Sequence, residues 1–300
     1  MRLSPIVYRR LCLLALWSLC AIVVTGAAVR LSDSGLGCSD WPTCQNGSIV
    51  PKADVHALIE AVNRYITGLV SILVILAVAG SRRRTPRRSD LTRWSWSLVI
   101  GVVAQIIIGG MVVLTGLKYS FVAVHFLVSM ALVWAAVVLV ELAGRPDDAP
   151  PGQPWPRWAR LLVAGATLVL LTGPLVSSAG PHTGTSADHH LVKRLPIDLE
   201  WVARVHSGSV WLFVAAIVAT AWRLRGSPVQ RRIVDLLVAA VAQGGIGYTQ
   251  YFTGVPAWLV GIHVAGATLV WVMTLRVALA SPSTVAVTDR PGELLTPAAR

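Results

Sequence analysis

Apolar residues in this chain come in long unbroken runs separated by short polar connections, with no alternating stretches. The runs lie at about 11–29, 57–80, 94–115, 121–143, 158–178, 200–222, 232–252 and 257–280. Each is about 18 residues or longer, enough for a helix to cross a hydrocarbon core of roughly 30 Å. Lipid offers no partners to open backbone groups, so helices are the expected spanning form. The pattern predicts an all-α integral membrane protein with eight transmembrane helices. The first run follows Met1-Arg-Leu-Ser and Tyr8-Arg-Arg. It is long for a signal-peptide core and has no small-x-small cleavage site, so it reads as a retained first helix.

Composition agrees: 55% of the 300 residues are hydrophobic and 13% are charged, against roughly a quarter charged in soluble domains. Mean hydropathy is +0.66. The net charge of +12 could point to nucleic acid, but its placement argues against that. Of the 26 Lys and Arg, only Arg30, Lys52, Lys118, Lys193 and Arg194 fall in one set of loops, and Arg64 and Arg204 lie inside helices. The rest, including Arg82-Arg-Arg, Arg87-Arg88 and Arg231-Arg232, gather at alternate helix ends. This is the positive-inside pattern. It predicts a multi-pass protein of the cell membrane with both termini cytoplasmic, and no nucleic-acid partner.

The chain also resembles itself. Gln105 and Gln243, Thr115-Gly116 and Thr253-Gly254, and His125 and His263 share a constant offset of 138 residues. Thr25-Gly26 resembles Thr172-Gly173 more loosely, and Asn63 corresponds roughly to His206. Repeats of this kind mark duplicated units. Each unit has four helices, so the expected architecture is two tandem, parallel-repeat four-helix bundles. The expected division is 1–143, a cytoplasmic linker at 144–160, a second half at 161–280, and a disordered cytoplasmic tail at 281–300.

Histidine inside a membrane helix is rare and usually functional. His125 and His263 lie about one turn into their helices and His206 about two turns, all from the outer side. Histidines on facing helices of a bundle can clamp a haem iron from both sides; the plainer alternatives are interhelical hydrogen bonds or a proton relay. A zinc site, which needs three or four converging ligands, fits less well. Glu60, Asn63 and Arg64 share one helix face. Glu60 reads either as a simple partner of Arg64 or as a general base beside a bound substrate. Arg64 and Arg204 read as partners for haem propionates or as snorkelling residues. His56, His182, His189 and His190 read as solvated loop residues. Cys38 and Cys44 share the first outer loop, on the oxidising side, where a disulfide is favoured over a free or redox-active pair.

The loop string Ser32-Asp-Ser-Gly-Leu-Gly-Cys-Ser-Asp-Trp-Pro-Thr-Cys, Glu60 with Arg64, Gln105 with Gly109-Gly110 and His125, and Gln243 with His263 together resemble the haem A synthase family. The resemblance covers about residues 10–280, and the loop string is its most specific part. It implies two four-helix bundles, one binding the substrate haem O and the other a haem b. It implies oxidation of a haem O methyl group to the formyl of haem A, for cytochrome oxidase, with water as the oxygen source. His206 and His263 would then be the axial ligands of haem b, His125 would face the substrate haem, Glu60 would be catalytic, and Cys38 and Cys44 would match the family's loop cysteines. A haem O synthase and an electron acceptor are the implied partners. The sequence departs from the family twice: Asn63 stands where a histidine is expected, and the loop between the fifth and sixth helices lacks a cysteine pair. Two other readings compete, a diheme electron carrier of the membrane cytochrome b type and a haem-handling transporter.

Overall fold

The computed structural model describes residues 2–148, 155–185 and 192–280. Eight helices form: α1 (Pro5–Leu31), α2 (Val55–Arg83), α3 (Ser89–Leu114), α4 (Tyr119–Ala143), α5 (Arg157–Ala179), α6 (Leu199–Arg223), α7 (Gln230–Phe252) and α8 (Ala257–Leu279). Among the described residues there are no strands, only isolated bridges. Several helices start earlier than the apolar runs. The first turns of α1 and α3 carry Arg and Tyr side chains that belong at the membrane boundary. Ser4 caps α1 at the Val7 amide, with Pro5 in the first turn, and Asp54 and Asp198 cap α2 and α6 at Ala57 and Trp201.

The protein is an all-helical, multi-pass membrane protein. Seven helices are long and apolar enough to cross a membrane, and α7 is the exception to the expected eight. The reason lies in its side chains: Arg231, Arg232 and Asp235 open it, and Gln243 and Gln250 interrupt its apolar run. Helix α7 packs between α6 and α8, which shields part of that polarity from lipid.

Helices α1–α4 pack as a ring, α1 on α2, α2 on α3, α3 on α4 and α4 on α1; α5–α8 close a second ring in the same order. The rings join through α1, α4, α5 and α8. The Trp271 indole donates 2.9 Å to the Met130 carbonyl across that junction. The core is displaced towards one end. Helix α4 buries residues only from Met130 onward, α7 buries Ile233, Leu236 and Ala240 and nothing later, and α8 buries Leu259 and then nothing before Thr268. All three histidines lie at the other, more open end. The turns there are alike. After α3, Gly116 and Leu117 take φ of 63° and 59°; after α7, Gly254 and Val255 take 81° and 58°. The Leu117 and Val255 amides each reach back 2.8 Å, to the Val112 and Gln250 carbonyls.

The tail at 281–300 and His189 and His190 lie outside the described residues, as does the middle of the linker. The described part of the linker is held: Asp147 pairs with the buried Arg84 and stands 3.8 Å from Arg88.

Candidate functional site

Each of the three membrane histidines rests one ring edge on a glycine of the preceding helix. A side chain at Gly109 would meet His125 Cε1 at 3.4 Å, one at Gly173 would meet His206 Cε1 at 3.5 Å, and one at Gly247 would meet His263 Cε1 at 3.0 Å. The missing Cβ leaves room for each imidazole edge against its neighbouring helix. The carbonyls of His125 and His263 accept from Gln105 Nε2 at 3.0 Å and Gln243 Nε2 at 2.7 Å. These bonds tie α3 to α4 and α7 to α8 at equivalent places, and Gln105 also reaches Ser129.

His206 and His263 face each other, with ring centres 6.4 Å apart and planes at 71°. Thr172 Oγ1 lies 2.9 Å from His206 Nδ1, which leaves Nε2 of that ring for another partner. The Nδ1 atoms of His125 and His263 are buried without a hydrogen bond. A metal–imidazole bond of about 2.0–2.1 Å, taken twice with about 1.1 Å from nitrogen to ring centre, gives roughly 6.3 Å, so one ion fits between the two rings. Among the described residues no group of three or more His, Cys, Asp or Glu gathers around a point, which disfavours a site built wholly from protein ligands. A planar group that brings four ligands of its own and takes two axial imidazoles fits the pair.

The α1–α4 ring is built differently. Where Thr172 meets His206, Thr25 Oγ1 meets Asn63 Oδ1 at 2.8 Å, so His125 has no facing imidazole. One turn away stands Glu60, 5% exposed. Its Oε2 accepts the Cys38 amide at 2.8 Å and its Oε1 accepts Arg64 Nη2 at 2.6 Å. Burial of a carboxylate is costly unless it is paired and hydrogen-bonded, and here both conditions are met.

Arg64, expected as a propionate partner or a snorkelling residue, is bonded to protein groups. Its guanidinium also donates to the Thr43, Asp40 and Cys38 carbonyls at 2.7, 3.0 and 3.3 Å and sits over Trp41, 5.0 Å from the ring centre. It clamps the first loop onto α2. Cys38 and Cys44 form a disulfide in that loop, with Cα atoms 4.3 Å apart, and pack on Ala57 and Ala61. Trp41 wedges against α3, where a Cβ at Gly110 would lie 2.5 Å from its Nε1. Arg204 stands apart, its side chain 76% exposed and paired with Glu200.

His182 is not a solvated loop residue. Its Nε2 bonds the Val255 carbonyl at 2.8 Å, and its own carbonyl accepts Arg30 Nε at 3.1 Å. It holds the segment after α5 against the α7–α8 turn. His56 Nδ1 bonds Ser34 Oγ at 3.0 Å. The glycine seats, the Thr172 contact and the Arg64 clamp were not foreseen. Only the recurrence of Thr-Gly and Gln-His pairs in the sequence pointed towards them.

The family described as cytochrome oxidase assembly protein matches residues 9–275. Among curated proteins, the chain is 24% identical over 254 residues to a haem A synthase of Halalkalibacterium halodurans, covering 80% of this chain and 83% of that protein. It is 27% identical over 251 residues to a haem A synthase of Geobacillus thermodenitrificans, covering 77% and 78%. A shorter match, 35% over 123 residues, covers 40% of this chain and 39% of a haem A synthase of Lysinibacillus sphaericus. The family match runs from α1 into α8 and takes in both histidine environments, so the chain belongs to the family of cytochrome oxidase assembly proteins.

Proposed function

We propose that this protein is a haem A synthase, which oxidises a methyl group of haem O to a formyl group for use in cytochrome oxidase. One observation carries the reading: two membrane sites of matching construction differ in their polar groups. One has two facing imidazoles, 6.4 Å apart. The other has His125, Asn63 and the buried carboxylate of Glu60. The first suits a permanently held cofactor, and the second a substrate with one face free for chemistry. The names of the related proteins support the synthase reading.

In this reading residues 1–143 bind haem O and residues 161–280 hold a haem b, ligated by His206 and His263. When bound, that haem supplies one-electron redox chemistry. The reaction converts a methyl group and one water into a formyl group, releasing four protons and four electrons. The oxygen comes from water by successive hydroxylations, and the electrons leave to an external acceptor. His125 orients the substrate from α4. Glu60 takes up protons as carbon–hydrogen bonds break and water attacks. The Cys38 amide and Arg64 hold its carboxyl group in place, and positioned general bases of this kind contribute about 10²–10⁴-fold. Asn63 is not an axial ligand for iron, so the protein coordinates the substrate from the His125 side only. The disulfide at the histidine end supports an outward-facing site, since disulfides persist outside the reducing cytoplasm. Both termini are then cytoplasmic, and a haem O synthase is the natural supplier.

The test is expression in a host that makes haem O but no haem A, followed by haem extraction and chromatography. Haem A together with haem b is expected. Haem b alone would reject the synthase and favour an electron carrier.

A further inference from the structure

At the end of the array opposite the histidines, the α2–α3 turn encloses an open cavity of about 580 Å³. Arg82, Arg87, Arg88 and Arg93 line it, together with Ser89 and Thr92. No carboxylate is in the lining. Arg88 is the only one of the four that is neutralised: it donates to Asp90 Oδ2 at 2.7 Å and stands 3.8 Å from Asp147. Among the described residues, Arg82, Arg87 and Arg93 have no acidic partner; Arg82 lies over Trp96, 5.7 Å from its ring centre. The cavity thus holds three unpaired cations beside the first turn of α3, where the helix dipole is also positive.

Water and salt screen these exposed arginines from one another, and together they offer an anion a ready site. The surroundings say which kind. Trp96, 42% exposed, lies just inside α3 from the cavity, in the position that tryptophan takes at a membrane–water boundary. Below it, Ile75 and Leu76 of α2 and Ile100 and Val103 of α3 present exposed apolar side chains, a surface for acyl chains. A soluble phosphate compound would use the arginines but not this apolar wall. Basic pockets between membrane helices are a recurring form of lipid recognition.

We infer that this cavity binds the phosphate of an anionic glycerophospholipid, with Arg87 and Arg93 as its principal ligands and the lipid's chains lying along α2 and α3.

Native mass spectrometry of the full chain, purified in detergent and offered equal phosphatidylglycerol and phosphatidylcholine, tests this. The wild type is expected to retain phosphatidylglycerol preferentially. The double variant Arg87→Ala/Arg93→Ala should lose about 20-fold or more of that preference, given the usual worth of each basic residue near an anionic surface. Arg87→Lys/Arg93→Lys keeps the charges and should retain most of it, which separates lost binding from lost folding. Equal retention of the two lipids by the wild type would overturn the proposal, as would undiminished retention by the alanine variant. Displacement of the lipid by millimolar inorganic phosphate would also overturn it, showing a site for a soluble anion.

Discussion

Helices α2 and α6 hold matching places in their rings, and each meets a threonine of the preceding helix. Yet α2 carries Glu60 three residues before Asn63, while α6 carries Ala203 three residues before His206. In this chain each ring therefore has one of the two groups, the carboxylate or the second imidazole, and lacks the other. A buried carboxylate needs donors, and α2 obtains them from Arg64 and from a disulfide-closed loop folded back over its first turns. The α6 helix has Ser207 in place of Arg64, and Ser207 bonds Tyr248 instead, at 2.7 Å. One scaffold, with the same glutamine ties and the same left-handed turns, thus supports a close pair of imidazoles in one ring and a buried carboxylate in the other.

Four substitutions probe this contrast. The largest effect is expected from Glu60→Gln. Haem A formation should fall about 100-fold or more, while the low-spin spectrum from the α6–α8 site stays unchanged. A parallel loss of both would show that Glu60 serves packing only. Next is Asn63→His, which gives α2 the imidazole that α6 already has, with Thr25 placed to hold its Nδ1 as Thr172 holds that of His206. A second low-spin bis-histidine signal is expected, with turnover reduced about 10-fold as ground-state binding tightens. If the unaltered protein, stripped of His206 and His263, already gives such a signal, the one-sided coordination is wrong. The smallest effect separates Gly247→Ala from Gly109→Ala. The added methyl meets His263 at 3.0 Å but His125 at 3.4 Å. The first change should cost about 1–2 kcal/mol in thermal unfolding and shift the low-spin spectrum; the second should cost less and leave that spectrum alone. Equal costs would remove the steric basis of the distinction.

The helices were legible because eight apolar runs admit little else, and the glutamine, threonine-glycine and histidine coincidences fall where the two rings carry similar hydrogen bonds and turns. Less could be read where an outcome depends on which backbone group a side chain meets. Arg64 and Arg204 look alike in sequence, both near the histidine end of a helix. Only the return of the Cys38–Cys44 loop makes one a clamp and leaves the other at the surface. His182 looked like a loop histidine because its acceptor, Val255, is 73 residues away. Helix α7 shows the limit of hydropathy: its Gln243 ties it to α8, and an average over its length cannot see that.

The one-sided core has a consequence for traffic. Haem O and haem A are large, flat and greasy, and a binding place sealed on every side would trap them. Separating two helices costs most where apolar side chains are interlocked, and in this protein that lies from Met130 to Ala143 on α4 and from Thr268 to Ala278 on α8. The histidine ends of α4 and α8 bury few apolar side chains and are tied instead by the Gln105 and Gln243 hydrogen bonds. Under the proposed function, these are the ends that would part sideways most cheaply for cargo to pass between helices, while the far end stays stitched.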